Sequence, residues 1–250
     1  MISTYTFSKL LQIDHIDDQF PIFNLKEWKS FEMNQFDKLK EDDFQVTVNK
    51  IIEIGIASLS ELELKKFEHI ISNFNRAWTV LRMKLKKISS QDIFDNKPIL
   101  FNSYNKINSW LSNFFPTLIV DIDYRLIYRS LEHGYVCFKA RKAALNNLSE
   151  EITYINMLPT AKEAKQVGSS LWNRKNDSDN EIACGEMMRL IHLKYTQNLV
   201  LNDLLKKTRP SELQEHTSDE FWGTCYGAII NENSNHLGKI IMEYRNINNK

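Results

Sequence analysis

The chain has 250 residues, 42% apolar and 26% charged, with 32 basic and 32 acidic side chains and a formal net charge of zero. This is the composition of a globular protein long enough to bury a full core. It excludes bulk attraction to nucleic acid or anionic lipid, since residues 1–97 hold 14 basic and 15 acidic groups, leaving 18 and 17 for the rest.

No apolar run reaches the roughly 20 residues of a membrane span, and the start MISTYTFSKL lacks the basic opening and small-residue cleavage site of a signal peptide. A cytoplasmic protein without membrane contact is expected. The three cysteines, Cys137, Cys184 and Cys225, are far apart, with no CxxC pair and no histidine at ligand spacing. They read as free thiols, and neither a disulfide framework nor a metal site is expected. Three of the seven glycines, Gly223, Gly227 and Gly238, fall in one C-terminal stretch, marking backbone that turns sharply or comes close to something else.

In chain order, the first elements are one or two weak helices anchored by Phe20, Phe23, Trp28, Phe31 and Phe36. A long amphipathic helix over 58–88 follows. Ser58 and Glu61 have capping-box spacing, and Phe67, Ile70, Ile71, Phe74, Trp78, Leu81, Leu85 and Ile88 recur at three and four. Its basic end, 82–87, suits a helix C-terminus. The polar cluster Ser89, Ser90, Asp92, Asp95 and Asn96 before Pro98 marks a boundary. Residues 1–97 therefore read as a helical N-terminal extension, packing on the following domain, on a second copy or on a partner, and 98–250 as the main domain.

That domain opens on the apolar ILFNS, then shows alternation at Leu118, Val120 and Ile122 that predicts a hairpin or a pair of short strands around 121–124. Helices are predicted over 130–145, 161–168, 186–205 and from His236 to the end. The class is α+β, predominantly α-helical, with one small sheet.

The helix carrying RSLEHGYVCFKARKA has an unusual face. Glu132 and Lys139 lie two turns apart, roughly 10 Å, too far for an ion pair, with Tyr135 and Val136 between them. Acid, aromatic and base on one stripe is not a solvated mixture of charges.

Four separated pieces carry a resemblance: LSNFFP at 111–116, EHGYVCFKA at 132–140, KEAKQVG at 162–168 followed by a helix with Met188, Lys194 and Asn198, and SDEFWG with NHLGKIIMEYR through Asp219, Phe221, Trp222, Gly223, Asn235, Leu237, Gly238, Met242 and Arg245. In this order they resemble the NADAR family, the YbiA-like N-glycosidases, across about 98–250. The stretch between Gly168 and Met187 departs from the family pattern, and Trp172 is carried over as its aromatic residue.

The resemblance implies hydrolysis of an N-glycosidic bond between ADP-ribose or ribose 5-phosphate and a base or amine, without metal or redox cofactor. It implies substrates among ADP-ribosylated guanine in nucleic acid and phosphoribosyl-amine intermediates of riboflavin synthesis; an ADP-ribose reader without catalysis is the non-enzymatic alternative. The richness in Asn, Lys and Ile fits an AT-rich genome such as phages and mobile elements carry, where countering ADP-ribosylation is useful, which puts ADP-ribosylated guanine first.

Breaking a C1–N bond builds positive charge on the sugar, so the site needs a carboxylate near C1 and a group to take up the charge of the departing nitrogen. Glu132 is expected as the principal acid or base and Asp219 as the group orienting water or a ribose hydroxyl. Lys139 either holds phosphate and developing charge or forms a Schiff base with an opened ribose. Phe114, Tyr135, Trp172 and Trp222 offer ring faces for a base. Ser112 and Asn113 offer hydrogen-bond partners for ribose or phosphate. Gly223 would let backbone approach the ligand, and Asn235 caps the last helix, whose amides face a phosphate. His133 points about 100° away from Glu132 and reads as a packed, hydrogen-bonded residue.

Overall fold

The computed structural model describes residues 48–49, 51–52, 56–57, 59–85, 98–105, 107–224 and 233–247. The weak helices before residue 48, Ser58, the basic residues 86–87, the boundary cluster and Cys225 lie outside the described residues.

Helix α1 spans Glu61–Leu85 and buries Leu64, Phe67, Ile71, Phe74 and Trp78 along its length. It is joined to residues beyond Pro98 by buried polar pairs. Asn75 donates to Leu118 O at 2.7 Å and accepts from Leu118 N at 2.9 Å, and the Asn198 amide donates to Thr79 Oγ1 at 2.9 Å. Buried amides must be paired, and these pairings fix α1 on the fold in one register.

Strand content comes as two two-stranded pieces. Strands β1 (Ile99–Phe101) and β4 (Leu213–Glu215) are parallel, Ile99 opposite Leu213 and Phe101 opposite Glu215. Strands β2 (Ile119–Asp121) and β3 (Leu126–Tyr128) form the predicted antiparallel hairpin. Asp121 is fully buried and satisfied by Tyr128 Oη at 2.9 Å and by both Arg189 terminal nitrogens at 3.0 and 2.7 Å.

Helix α2 (Leu131–Lys142) is the central element. Ser130 caps it, accepting from His133 N, with Glu132 in the first turn and Lys139, Arg141 and Lys142 in the last. Nine of its residues are buried, Glu132 and His133 among them, so it is enclosed on nearly all sides rather than amphipathic. Helices α3 (Leu148–Met157), α4 (Ala161–Gly168) and α5 (Asp177–Thr196) pack around it. Helix α4 begins in a capping box, Thr160 with Glu163, and at its end a Cβ on Gly168 would lie 2.7 Å from a Val136 methyl. Only glycine allows α4 that close to α2.

The sequence expectation of one helix over 186–205 is corrected in two ways. Helix α5 starts nine residues earlier, at Asp177, because Asn176 caps it by accepting from Asp179 N at 2.9 Å. It then breaks where Gln197 turns aside to clasp Val120 of β2, donating to its carbonyl and accepting from its amide, each at 2.8 Å. Asn198 restarts the chain as the cap of α6 (Leu199–Lys207). Helix α7 (His236–Ile247) closes against α5 and β4. Among the described residues no helix is long and apolar enough to cross a membrane.

Candidate active site

The loop at 111–116 is held from beneath by a buried lysine. Lys194, 1% exposed, donates to the carbonyls of Trp110 at 3.0 Å, Leu111 at 3.4 Å and Ser112 at 3.0 Å. Burial pushes its ammonium down to about 7. The Glu132 amide donates to Asn113 O at 3.0 Å, so the loop and the first turn of α2 are one unit.

Beside this junction lies a cavity of about 280 Å³. From α2 it receives Glu132, Tyr135, Val136 and Lys139; from the loop, Asn113 and Phe114; from α4 and the segment after it, Lys165, Ser169, Trp172, Asn173 and Arg174; from α5, Met187; and from the end of β4 and the chain after it, Glu215, Thr217, Asp219 and Trp222. Glu132, Tyr135 and Lys139 thus face one hollow along two turns of helix. The acid and the amine are separated because the cavity lies between them.

The carboxylates differ in setting. Burial pushes Glu132 up to about 7, and the nearby Asp219 adds to this, while Lys165 and Lys139 oppose it. Glu215 is pushed up to about 8, first by burial and then by the Glu132 carboxylate. Asp219 is more open: its Oδ1 accepts from Phe221 N and Trp222 N, each at 3.1 Å, with Arg174 at 3.9 Å. Lys139 is lowered by burial, against the pull of Glu132, and its ammonium donates to the Gly168 carbonyl.

The rings hold each other edge to face, Tyr135 against Trp222 and Phe138 against Trp172, each pair at 5.5 Å. The Arg174 guanidinium lies 4.0 Å from the Phe221 ring centre and 5.2 Å from that of Trp222. Asn113 donates to Met187 Sδ at 3.7 Å, and its buried Oδ1 has no hydrogen-bond partner among the described residues. An orphaned buried acceptor on a cavity wall is a place for a ligand hydroxyl or amine. Among the described residues no group of His, Cys, Asp or Glu is arranged to hold a metal ion.

Eight of the residues singled out from sequence meet at this cavity: Glu132, Lys139, Asp219, Asn113, Phe114, Tyr135, Trp172 and Trp222. Three do not. Ser112 is 2% exposed, its hydroxyl accepting from Phe114 N at 3.2 Å. Gly223 approaches its own chain and not the cavity, since a Cβ there would lie 2.5 Å from Glu215 O. Asn235 does not cap α7 through its side chain; it donates to Leu213 O at 2.9 Å and accepts from Glu215 N at 3.0 Å. Gly223 and Asn235 instead hold β4 so that Glu215 meets the cavity. His133 bonds Ser130 Oγ at 2.8 Å and Leu158 O at 3.1 Å, and burial pushes it down to about 4.

Sequence reasoning missed Glu215, Lys165, Arg174, Thr217 and Met187. Lys165 stood inside KEAKQVG. Glu215 carried no comparable signal, since its strand has three residues and Gln214 beside it is buried too.

A search of curated proteins finds no match. Among solved structures, the chain is similar to the NMR structure of the E. coli protein YbiA, at 22% identity with a TM-score of 0.49, over 62% of this chain and 86% of that one. The NADAR domain matches residues 100–247, more than half of the chain and every residue named above in the wall of the cavity. The chain belongs to the NADAR domain family.

Proposed function

We propose that the protein is an N-glycosidase that hydrolyses the bond between C1 of an ADP-ribosyl or phosphoribosyl unit and the nitrogen of a base or amine. ADP-ribosylated guanine is the substrate placed first, and a phosphoribosyl-amine intermediate of riboflavin synthesis is the alternative. The observation that carries the reading is the sharing of one aromatic-walled cavity by Glu132 and Glu215, both carboxyls being pushed up by burial.

Two carboxyls of this kind divide the labour of glycoside cleavage. The proton is assigned to Glu215, whose carboxyl is pushed up by burial and by the Glu132 charge, and it passes to the departing nitrogen as the C1–N electron pair moves onto that atom. Glu132, ionised, stabilises the positive sugar and accepts a proton from the water whose oxygen bonds to C1. The products are a free hemiacetal sugar and a neutral amine. A positioned acid or base of this sort contributes about 10²- to 10⁴-fold.

Asp219, fixed by two backbone amides, orients a ribose hydroxyl, and Asn113 Oδ1 accepts from another. Lys139, Lys165 and Arg174 supply positive charge for phosphate, and Trp222, Tyr135, Trp172 and Phe114 enclose the base. A module that only held ADP-ribose would gain nothing from two buried acids beside an anionic ligand, which favours catalysis.

The test is a product assay. The protein is incubated with an oligonucleotide carrying ADP-ribosylated guanine and, separately, with the ribosylamino-pyrimidine phosphate, and released sugar phosphate is followed by mass spectrometry. Release from the first supports the leading reading, release from the second alone supports the alternative, and saturable binding without product from either overturns the enzymatic reading.

A further inference from the structure

Asn113 stands on the cavity wall with Glu132, Phe114 and Met187, and it is 8% exposed. Its backbone is fixed. Lys194 bonds the three carbonyls that precede it, and its own carbonyl accepts from Glu132 N at 3.0 Å.

Its side chain is only half satisfied. Nδ2 donates to the Met187 thioether at 3.7 Å, while the buried Oδ1 has no hydrogen-bond partner among the described residues. A thioether has no hydrogen to give, so exchanging Oδ1 and Nδ2 would set acceptor against acceptor. The unmet group is therefore an acceptor. Sulfur holds the amide weakly and Met187 is unbranched and adaptable, so a small turn of the amide toward the cavity loses little.

An acceptor in this place needs an O–H or N–H from a ligand. Its neighbour decides between them. Glu132 acts at the sugar and Glu215 at the departing nitrogen, so an acceptor tied to the backbone of Glu132 lies on the sugar side. The hydroxyl next to C1 on a ribosyl ring is the 2-hydroxyl. Asp219, from the chain after β4, is left for a hydroxyl further round the ring.

We propose that Asn113 Oδ1 accepts from the 2-hydroxyl of the sugar whose C1–N bond is cut, and that this contact selects ribosyl over 2-deoxyribosyl units. A bond to the 2-hydroxyl strengthens as charge builds on the sugar, and a sugar lacking that hydroxyl leaves the buried acceptor unpaired. Selection of this kind has a use. A guanine in DNA that carries ADP-ribose has two C1–N bonds, one to ribose and one to the 2-deoxyribose of the strand, and a protein that reads the 2-hydroxyl cuts the first and spares the second. The assignment rests on the N-glycosidase reading, but the preference between sugars is measured without cleavage.

The experiment is calorimetric titration of the full chain with ribose 5-phosphate and with 2-deoxyribose 5-phosphate, on the wild type, on Asn113→Leu and on Asn113→Asp. Leucine has nearly the shape of asparagine and no acceptor, aspartate keeps the acceptor, and circular dichroism checks that each variant is folded. The wild type is expected to bind ribose 5-phosphate at least about tenfold more tightly than the deoxy sugar, Asn113→Asp to keep a preference of that order, and Asn113→Leu to bind the two within about twofold. Equal binding of the two sugars by the wild type, binding of neither, or a preference that survives in folded Asn113→Leu overturns the proposal. Should Asn113→Leu not fold, a preference kept in Asn113→Asp upholds it and a preference lost there overturns it. On the oligonucleotide carrying ADP-ribosylated guanine, the wild type is expected to release sugar phosphate and form no abasic site; abasic sites overturn the proposal. Cleavage by a protein that binds both sugars alike defeats the assignment and leaves the enzymatic reading standing; the preference without cleavage of either glycoside does the reverse.

Discussion

Glu132, in the first turn of α2, and Glu215, the last residue of β4, open into one cavity, and the Glu132 carboxylate raises Glu215 beyond what burial alone does. Such a pair titrates in two steps that belong to both groups.

The pH dependence of turnover follows from this. The active form has one proton on the pair, so kcat/KM is expected to be bell-shaped, falling below about 7 as the pair takes up a second proton and above about 8 as it loses the last one. Glu215→Gln is expected to lower kcat by about 10²- to 10⁴-fold and to remove the alkaline limb. Steady-state rates from pH 5 to 10 check this; an alkaline limb that survives in Glu215→Gln contradicts the assignment.

Stability carries the opposite signature. Native Glu132 is raised from 4.5 to about 7, so the native state binds this proton more tightly than the unfolded chain does. Its stabilising contribution is complete below pH 4.5 and is lost as pH rises through about 7. Glu132→Gln has no such loss. The variant is therefore expected to match the wild type near pH 4.5 and to exceed it by about 1–3 kcal/mol at pH 9, measured by denaturant unfolding at both values.

Lys139 donates to the Gly168 carbonyl while lining the cavity beside Lys165 and Arg174. We assign it to phosphate and charge binding. Lys139→Arg is then expected to keep about a tenth or more of kcat/KM and Lys139→Met to lose about 10²-fold, the difference of one charge-assisted contact. Borohydride added during turnover should trap no covalent adduct; a trapped sugar on Lys139 would establish the Schiff base instead.

How much of this was legible in the chain varies with the range of the interactions involved. The stripe Glu132, Tyr135, Lys139 could be read because helical spacing is local, and α4 because its cap and apolar positions sit within one short stretch. The pairing of β1 with β4 could not, since it joins distant segments of three residues each with no periodicity of their own. The break between α5 and α6 depends on Gln197 meeting Val120, a contact that only the folded chain creates. Asn235 and Gly223 were correctly singled out as unusual, yet their partners are the backbone of β4 and its neighbours and not a ligand. Glu215 was passed over because a three-residue strand offers too little alternation to mark its inward face.

Asn235 makes two hydrogen bonds to β4 and has a positive φ of 58°. Asn235→Ala leaves the Leu213 carbonyl and Glu215 amide unpaired and puts alanine in a strained backbone. It is expected to cost about 2–4 kcal/mol in denaturant unfolding. Because Glu215 is positioned through this residue, kcat should fall as well; an unchanged pH profile with reduced kcat would deny that link.

The most direct measurement is single-turnover cleavage of the ADP-ribosylated guanine oligonucleotide and the ribosylamino-pyrimidine phosphate in ¹⁸O-labelled water, with wild type and Glu132→Gln side by side. Wild-type protein is expected to release from one of them a sugar phosphate carrying ¹⁸O at C1, and folded Glu132→Gln to release it at least about 10²-fold more slowly. Release that proceeds equally well without the Glu132 carboxylate, or no release from either substrate by folded wild-type protein, would contradict it.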